Sequence, residues 1–518
     1  MSSTLLNLGD VLSSNAHLHP DKIGASDDTR SMSFKLWNAR SNRLANALLG
    51  LGLCKGDRVA VLAYNAVEWM EIYAATAKAG LVMVPVNFRL VATEVAYIVS
   101  DSGAGAIIVQ DELAGVVEEI GSALPFGAGR IIQFGRTPTP AGRLDYEGVI
   151  ASAAENPPSV AASPEETWAL MYTSGTTGRP KGAIRNHGAS AALSLVTGVE
   201  LGFTRRDSGL LVMPMCHANS LFFAVSLTYC GAACHIHNKA SFDPEEVLAA
   251  LAGGPTFTSL VPTQYVMMLD VPTAVRQRHD TSRVTKLMIS SAPARRETKQ
   301  AVMEFFPNSG LFELYGSTEA GWVTMLQPEE QFSKLGSVGR ECVGTKPVRL
   351  LGDDGTEVPD GEVGELYSCT PYTFEGYWNL PAKTAEAFRD GYCTVGDMAR
   401  RDEDGFLHLV DRKTNMIISG GENIYPSEVE AVLGSHPAVR DAAVIGLPDP
   451  KWSERVHGVV VLRPGAAASE QDLIEWCRPK LAGYKRPRTI AIIAPDEMPK
   501  TATGKILHRQ LKAKLLKS

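Results

Sequence analysis

At 518 residues the chain is too long for a single hydrophobic core, so two or three domains are expected. A hydrophobic share of 45% and a charged share of 21% are ordinary for a globular protein in water, and no apolar run reaches the ~18–20 residues of a membrane span. A net charge of −7 argues against nucleic acid as the main partner, and eight cysteines without a C-x-x-C pair argue for reduced thiols rather than disulfides or a zinc site.

The N-terminal stretch "MSSTLLNLGDVLSSN" lacks a basic region ahead of an apolar core, which predicts a cytoplasmic protein. From about residue 57 the chain alternates strand-like and helix-like segments: "RVAVLAY", "AVEWMEIYAATAKAG", "LVMVPV", "TEVAYIVSD" and "GAIIV". Such alternation predicts an α/β fold with parallel sheets covered by helices. Next comes "TWALMYT" (167–173), a strand-like run that enters the Gly, Ser and Thr cluster "SGTTGRPKG", followed by the helix-like "ASAALSLV". Taken alone, such a cluster is a surface turn. After a strand, however, bare backbone N–H groups can converge on an anion, and phosphate is the natural guest. The cluster is not the usual P-loop, because Gly175 and Gly178 enclose only two residues and Lys181 precedes Gly182; a dinucleotide fingerprint fails too, with Lys55 standing where the last glycine is needed.

Further on, "GLLVMPM", "FTSLVPT" and "VTKLMIS" predict strands, and a helix is expected at 243–252, where Asp243 caps, Pro244 opens and Glu246 follows. Cys234, His235 and His237 form a tempting cluster, but no second cluster completes a metal site, so a structural role is preferred. Near residue 400 the texture turns rich in charge and turns, which predicts a boundary to a compact α+β domain. That domain carries a cap at Ser469 with Asp472 and ends in a basic helix with Leu507, Leu511 and Leu515, expected to pack on their own domain rather than lie on a membrane.

Four separated tags, "YTSGTTGRPKG", "YGSTE" (315–319), "VGDMARRDEDGFLHLVDRKTN" (395–415) and "PKTATGK" (499–505), together resemble the signature set of the adenylate-forming superfamily. The resemblance spans nearly the whole chain. It implies a large N-terminal domain of parallel and mixed sheets over 1–410, a hinge at 411–415 and a small mobile α+β domain over 416–518. The implied reaction joins a carboxylic acid, ATP and coenzyme A with Mg²⁺, through an acyl-adenylate. A carboxylate is a poor electrophile, so AMP must first become its leaving group.

Residue by residue, the resemblance assigns Thr173, Ser174, Gly175, Thr176, Thr177, Gly178 and Lys181 to the departing phosphates, and Glu319 with Thr173 to Mg²⁺. By the same resemblance Thr318 would face the α-phosphate, Tyr315 the adenine, and Asp397 with Arg412 the ribose. The resemblance matches Lys505 to the family's catalytic lysine, which offsets transition-state charge. His217 stands where many acyl-CoA synthetases keep a histidine beside the acyl carboxylate. The neighbouring Cys216, Ala218, Asn219 and Ser220 include no acid to pair with an amino-acid ammonium. Arg89, Trp452, Tyr484 and Arg486 resemble positions that receive the nucleotide of coenzyme A, and Gly420 with Gly421 the pantetheine tunnel.

No carrier domain follows Lys505 in this sequence, and its last residues are not Ser-Lys-Leu. Thr414, Asn415, Val395, Ser290 and Ser291 depart from the family's usual residues at the hinge and around the nucleotide. Ala218, Phe222, Phe257 and Met288 are the expected lining of an apolar acyl pocket. A homodimer and a lysine acetyltransferase acting on Lys505 are the further partners implied. Two readings compete with an acyl-CoA synthetase: an acyl-AMP ligase or stand-alone adenylation enzyme loading a carrier protein, and a nucleotide-binding regulator without catalysis.

Overall fold

The computed structural model describes residues 7–173, 179–290, 294–419, 422–501 and 504–516. The chain forms two compact units: one of Met1–Leu335, Gly339–Pro347 and Ser368–Cys393, the other of Gly336–Val338, Val348–Tyr367 and Thr394–Ser518.

The first unit contains a seven-stranded and a nine-stranded sheet among the described residues. In the seven-stranded sheet, Arg58–Leu62 lies between Val82–Val86 and Ala104–Gln110, all parallel, with Glu68–Ala79 and Ala92–Asp101 as the crossover helices. These strands are near-continuous Val, Ile and Ala runs because sheets covered on both faces leave no position for water. Gly80 ends the first of those helices at φ 62°, a left-handed residue that accommodates glycine without strain. The nine-stranded sheet carries Ser208–Leu211, Phe257–Leu260, Lys286–Ser290 and Gly310–Ser317 in parallel, then the antiparallel strands Gly321–Leu326 and Arg340–Glu341 at its edge.

The expected helix at 243–252 forms as Pro244–Ala252, with Asp243 accepting from the backbone N–H groups of Glu245 and Glu246. One element differs from the sequence reading. Between the glycine-rich segment and the following helix, Lys181–Asn186 forms a strand that pairs antiparallel with Thr167–Thr173. The helix starts at His187, capped by the Asn186 side chain. A six-residue strand carrying Lys, Gly and Arg lacks the β-branched pattern that marks strands in sequence, and pairing with its partner overrides propensity.

The second unit holds the antiparallel pair Asp397–Arg401 and Leu407–Arg412, and a five-stranded sheet around Val439–Asp449 and Ser453–Leu462. Ser469 and Asp472 make the reciprocal cap of Glu470–Cys477. Leu511, on the last helix, is buried against Ala443, Ile445, Val459 and Met498, so this part of the leucine stripe packs on its own domain.

Candidate active site

The two hairpins of the first unit bring distant tags together. Thr173 ends one strand opposite Lys181; Ser174, Gly175, Thr176, Thr177 and Gly178, between them, lie outside the described residues. In the second hairpin, register slips between Tyr315 and Gly316, and a Cβ at Gly316 would sit 2.2 Å from the carbonyl oxygen of Gly321. Only glycine allows this close approach of backbones. The irregularity delivers the turn Thr318–Ala320, tied by the Ala320 N–H donating to the Ser317 hydroxyl at 2.9 Å and the Phe374 N–H donating to the Glu319 carbonyl at 2.7 Å.

Glu319 is 7% exposed, and its Oε1 accepts from the Thr173 hydroxyl at 3.3 Å and from the Tyr377 hydroxyl at 2.9 Å. The Lys181 ammonium stands 3.9 Å from the centre of the Tyr377 ring. Burial lowers the Lys181 pKa, with Glu319 opposing and Lys383 adding repulsion. One carboxylate, hydroxyls and an ammonium therefore meet around one point. Hard oxygen donors of this kind fit Mg²⁺. No group of three or more His, Cys, Asp or Glu among the described residues could hold a metal, so a cation here would take most of its ligands from a phosphate substrate and water. Tyr315, on the strand leading into the turn, is almost wholly buried.

His217 opens the helix Ala218–Tyr229 without capping it. Its Nε2 is buried and unpartnered among the described residues, and burial, followed by the Arg89 charge, lowers its pKa to about 4. The imidazole is therefore neutral at pH 7. Arg89 itself lies over the Phe88 ring at 5.0 Å. The Asn219 amide donates to the hydroxyls of Ser259 and Ser290, each at 3.0 Å. Phe257 packs at 4.9 Å from both Phe203 and Phe223, and Met288 is fully buried, so these two belong to the large core cluster. Ala218 is partly exposed, while Phe222 faces Trp322 at 5.2 Å and the Arg185 guanidinium at 5.1 Å. Ser26 bonds His235 Nδ1 at 2.5 Å across paired strands, which ties that imidazole to the fold.

In the second unit Asp397 and Arg412 are opposite each other on paired strands, with Nε to Oδ1 at 3.1 Å. Asp411 accepts from the backbone N–H groups of Arg412 at 2.6 Å and Ser427 at 2.9 Å, and from the Asn415 amide at 3.1 Å. Thr414 sits within the short 3₁₀ turn Lys413–Asn415, and the Lys413 ammonium pairs with Glu365 at 3.1 Å and Asp353 at 3.3 Å. Lys505 is presented by a tight loop in which Thr501 N–H donates to the Lys505 carbonyl at 2.7 Å and the Lys505 N–H to the Thr501 hydroxyl at 3.0 Å. Crowding by protein atoms and then the Arg412 charge lower its pKa, with Asp397 and Asp411 opposing; the residue stays exposed, so water screens these effects. Trp452 carries the guanidinium of Arg488 at 5.5 Å from its ring centre, Tyr484 is 41% exposed, and Arg486 donates to the Leu481 carbonyl at 2.9 Å. Gly420 and Gly421 lie outside the described residues.

Sequence reasoning missed Tyr377 and Arg185. Tyr377 lies 58 residues beyond Glu319 in no recognisable pattern, whereas Arg185 left a signal: a charged residue directly after the apolar "GAI".

Comparison with known proteins matches the AMP-binding enzyme family over residues 12–378 and the AMP-binding enzyme C-terminal domain over residues 428–505. A feruloyl-CoA synthase from Amycolatopsis sp is 36% identical over 500 residues, 96% of each chain. The long-chain-fatty-acid–CoA ligase FadD13 of Mycobacterium tuberculosis (strain ATCC 25618 / H37Rv) is 34% identical over 515 residues, 98% of each. Among solved structures, the anthranilate CoA ligase AuaEII with anthranoyl-AMP superposes with a TM-score of 0.90 at 28% identity, covering 98% of this chain and 97% of that one. The chain belongs to the AMP-binding enzyme family, as an adenylate-forming acid–thiol ligase of the acyl-CoA synthetase kind.

Proposed function

We propose that the protein makes acyl-CoA from a hydrophobic fatty or aryl acid, ATP and coenzyme A. In the first half-reaction an acid oxygen bonds the α-phosphorus of ATP and the bond to pyrophosphate breaks. In the second, the coenzyme A sulfur bonds the acyl carbon and AMP leaves. The observation that carries this reading is the meeting of Thr173, Lys181, Tyr377 and Glu319, which joins two tags 146 residues apart around one carboxylate.

In this reading Thr173 and Lys181, with the loop residues Ser174 to Gly178, hold the departing phosphates. Glu319 and Thr173 hold Mg²⁺, which when bound neutralises phosphate charge. Thr318 faces the α-phosphate, Tyr315 the adenine, and Asp397 with Arg412 the ribose. Neutral His217 donates its ring N–H to the acyl carboxylate rather than contributing charge, as its lowered pKa supports. Arg89, Trp452, Tyr484, Arg486, Gly420 and Gly421 receive coenzyme A. Lys505 supplies positive charge to adenylation, and 411–415 is the hinge between the domains at 1–410 and 416–518. Among the described residues no helix is long and apolar enough to cross a membrane, and the proposed setting is the cytoplasm, as a homodimer.

The test is a panel of alkyl and aryl carboxylic acids with ATP, Mg²⁺ and coenzyme A, reading pyrophosphate and acyl-CoA. Acid-dependent release of both is expected. Thioester formation that requires a carrier protein and ignores coenzyme A would replace this reading with the carrier-loading one, and ATP binding without pyrophosphate release would replace it with the regulator. A lysine acetyltransferase is the proposed regulator of Lys505, because acetylation removes the charge. An acetylated sample should lose adenylation, and undiminished pyrophosphate release from it would refute that regulation.

A further inference from the structure

Arg185 is 1% exposed, in the strand Lys181–Asn186, on the same face as Lys181 and Ala183. Its Nη1 donates to the carbonyls of Thr318 and Glu319, each at 3.3 Å, and its plane lies 5.1 Å from the centre of the Phe222 ring. Nε and Nη2 are buried and have no hydrogen-bond partner among the described residues. Burial lowers the pKa to about 10, against the attraction of the Glu319 charge, so the group is still a cation at neutral pH.

Packing alone does not account for such a residue. A buried guanidinium with two idle nitrogens is costly, and a hydrocarbon of similar length would suit this core better. What the cation does make is a clamp on two successive carbonyls, those before and after the Glu319 Cα. Fixing both peptide planes fixes the direction in which the Glu319 side chain leaves the backbone. The Phe374 N–H, on the Glu319 carbonyl at 2.7 Å, holds only the second of these planes.

We propose that Arg185 is a positioning residue for adenylation, holding the Thr318–Glu319 peptides so that the Glu319 carboxylate stays aimed where Thr173 and Tyr377 meet it. The inference rests on the reading of Glu319 as the Mg²⁺ carboxylate. Residues that orient a metal ligand commonly change metal affinity or activity about 10- to 100-fold when removed.

The experiment compares Arg185→Met, Arg185→Lys and Glu319→Gln with the parent. It reads thermal unfolding, calorimetric binding of ATP across a Mg²⁺ titration, and thioester formation from supplied acyl-adenylate and coenzyme A. Arg185→Met should unfold no earlier than the parent, need about 10- to 100-fold more Mg²⁺ for ATP binding, and make thioester within about twofold of the parent rate. Arg185→Lys, which keeps the charge but offers a single point donor, should fall between the two. Earlier unfolding of Arg185→Met with ATP binding and thioester formation lost together would make the residue merely structural and overturn the proposal. If Arg185→Met does not fold, a parent-like Mg²⁺ requirement in Arg185→Lys overturns it. A parent-like requirement in Arg185→Met beside a raised one in Glu319→Gln overturns this inference alone. A parent-like requirement in Glu319→Gln removes the metal reading, and this inference with it.

Discussion

Single groups around Glu319 have separable effects. The Tyr377 ring faces the Lys181 ammonium while its hydroxyl bonds Glu319, so Tyr377→Phe removes the hydroxyl and leaves the ring. A group that orients a metal-ligating carboxylate commonly changes activity about 10- to 100-fold when removed, so adenylation should fall by that factor, and loss of the buried hydrogen bond should also lower the melting temperature. Pyrophosphate release across a Mg²⁺ titration checks this, and a parent-like curve contradicts it. His187 makes a different prediction. It is buried beside Trp168 with Nε2 unpartnered among the described residues, and burial holds its pKa at about 4, against an ordinary value of 6.5. Between these values the unfolded chain binds a proton that the folded chain does not. The contribution is thus present above pH 6.5 and lost as pH falls toward 4, at most ~3 kcal/mol. Urea unfolding at pH 7 and pH 5 should show the loss, and His187→Gln should flatten it; an unchanged slope refutes the assignment. Of these residues, Glu319 and Lys181 were legible because they sit in tags, whereas Tyr377 and His187 owe their behaviour to neighbours far away in sequence.

At the scale of elements, strands with apolar periodicity and helices with cap residues were readable before any coordinates. Asp243–Pro244 and Ser469–Asp472 state their helix starts locally, since a cap needs only three or four consecutive residues. The strand Lys181–Asn186 was not readable, because pairing with Thr167–Thr173 defines it rather than its own propensity. The hairpin at 310–326 lies between these cases: its tag was legible, but its slip in register was not. That slip depends on Gly316, whose missing Cβ leaves room for the Gly321 carbonyl. Gly316→Ala should therefore force the strands apart, costing about 1–3 kcal/mol, and displace the Thr318–Ala320 turn. We expect a lower melting temperature and at least about tenfold slower adenylation, since small misplacements of positioned groups are costly. Pyrophosphate release at parent rates by Gly316→Ala would show that the turn does not depend on the close approach.

Across the whole molecule, the proposed residues are divided. Thr173, Lys181, His217, Tyr315 and Glu319 belong to one compact unit, and Asp397, Arg412, Trp452, Tyr484 and Lys505 to the other. The groups proposed to hold phosphate and metal lie with the first, whereas the lysine proposed for the transition state lies with the second, and the 3₁₀ turn at Lys413–Asn415 is held to Glu365, Asp353 and Asp411 by side-chain contacts. If the two half-reactions call on different residues of the second unit, they must be separable by substitution. Lys505→Ala removes the charge proposed to act only while pyrophosphate leaves, so it should cripple acyl-adenylate formation, by about 100-fold or more, yet spare thioester formation from supplied acyl-adenylate. Thr414→Pro should act oppositely. Proline fixes φ and pushes Lys413 away from the helical region, altering the turn without touching a substrate group, so a hinge that must change conformation between steps would stall after the first. Rapid-quench measurement of each half-reaction in both variants decides the matter. Equal loss of the two steps in Lys505→Ala would show that this chain does not divide its catalysis in this way.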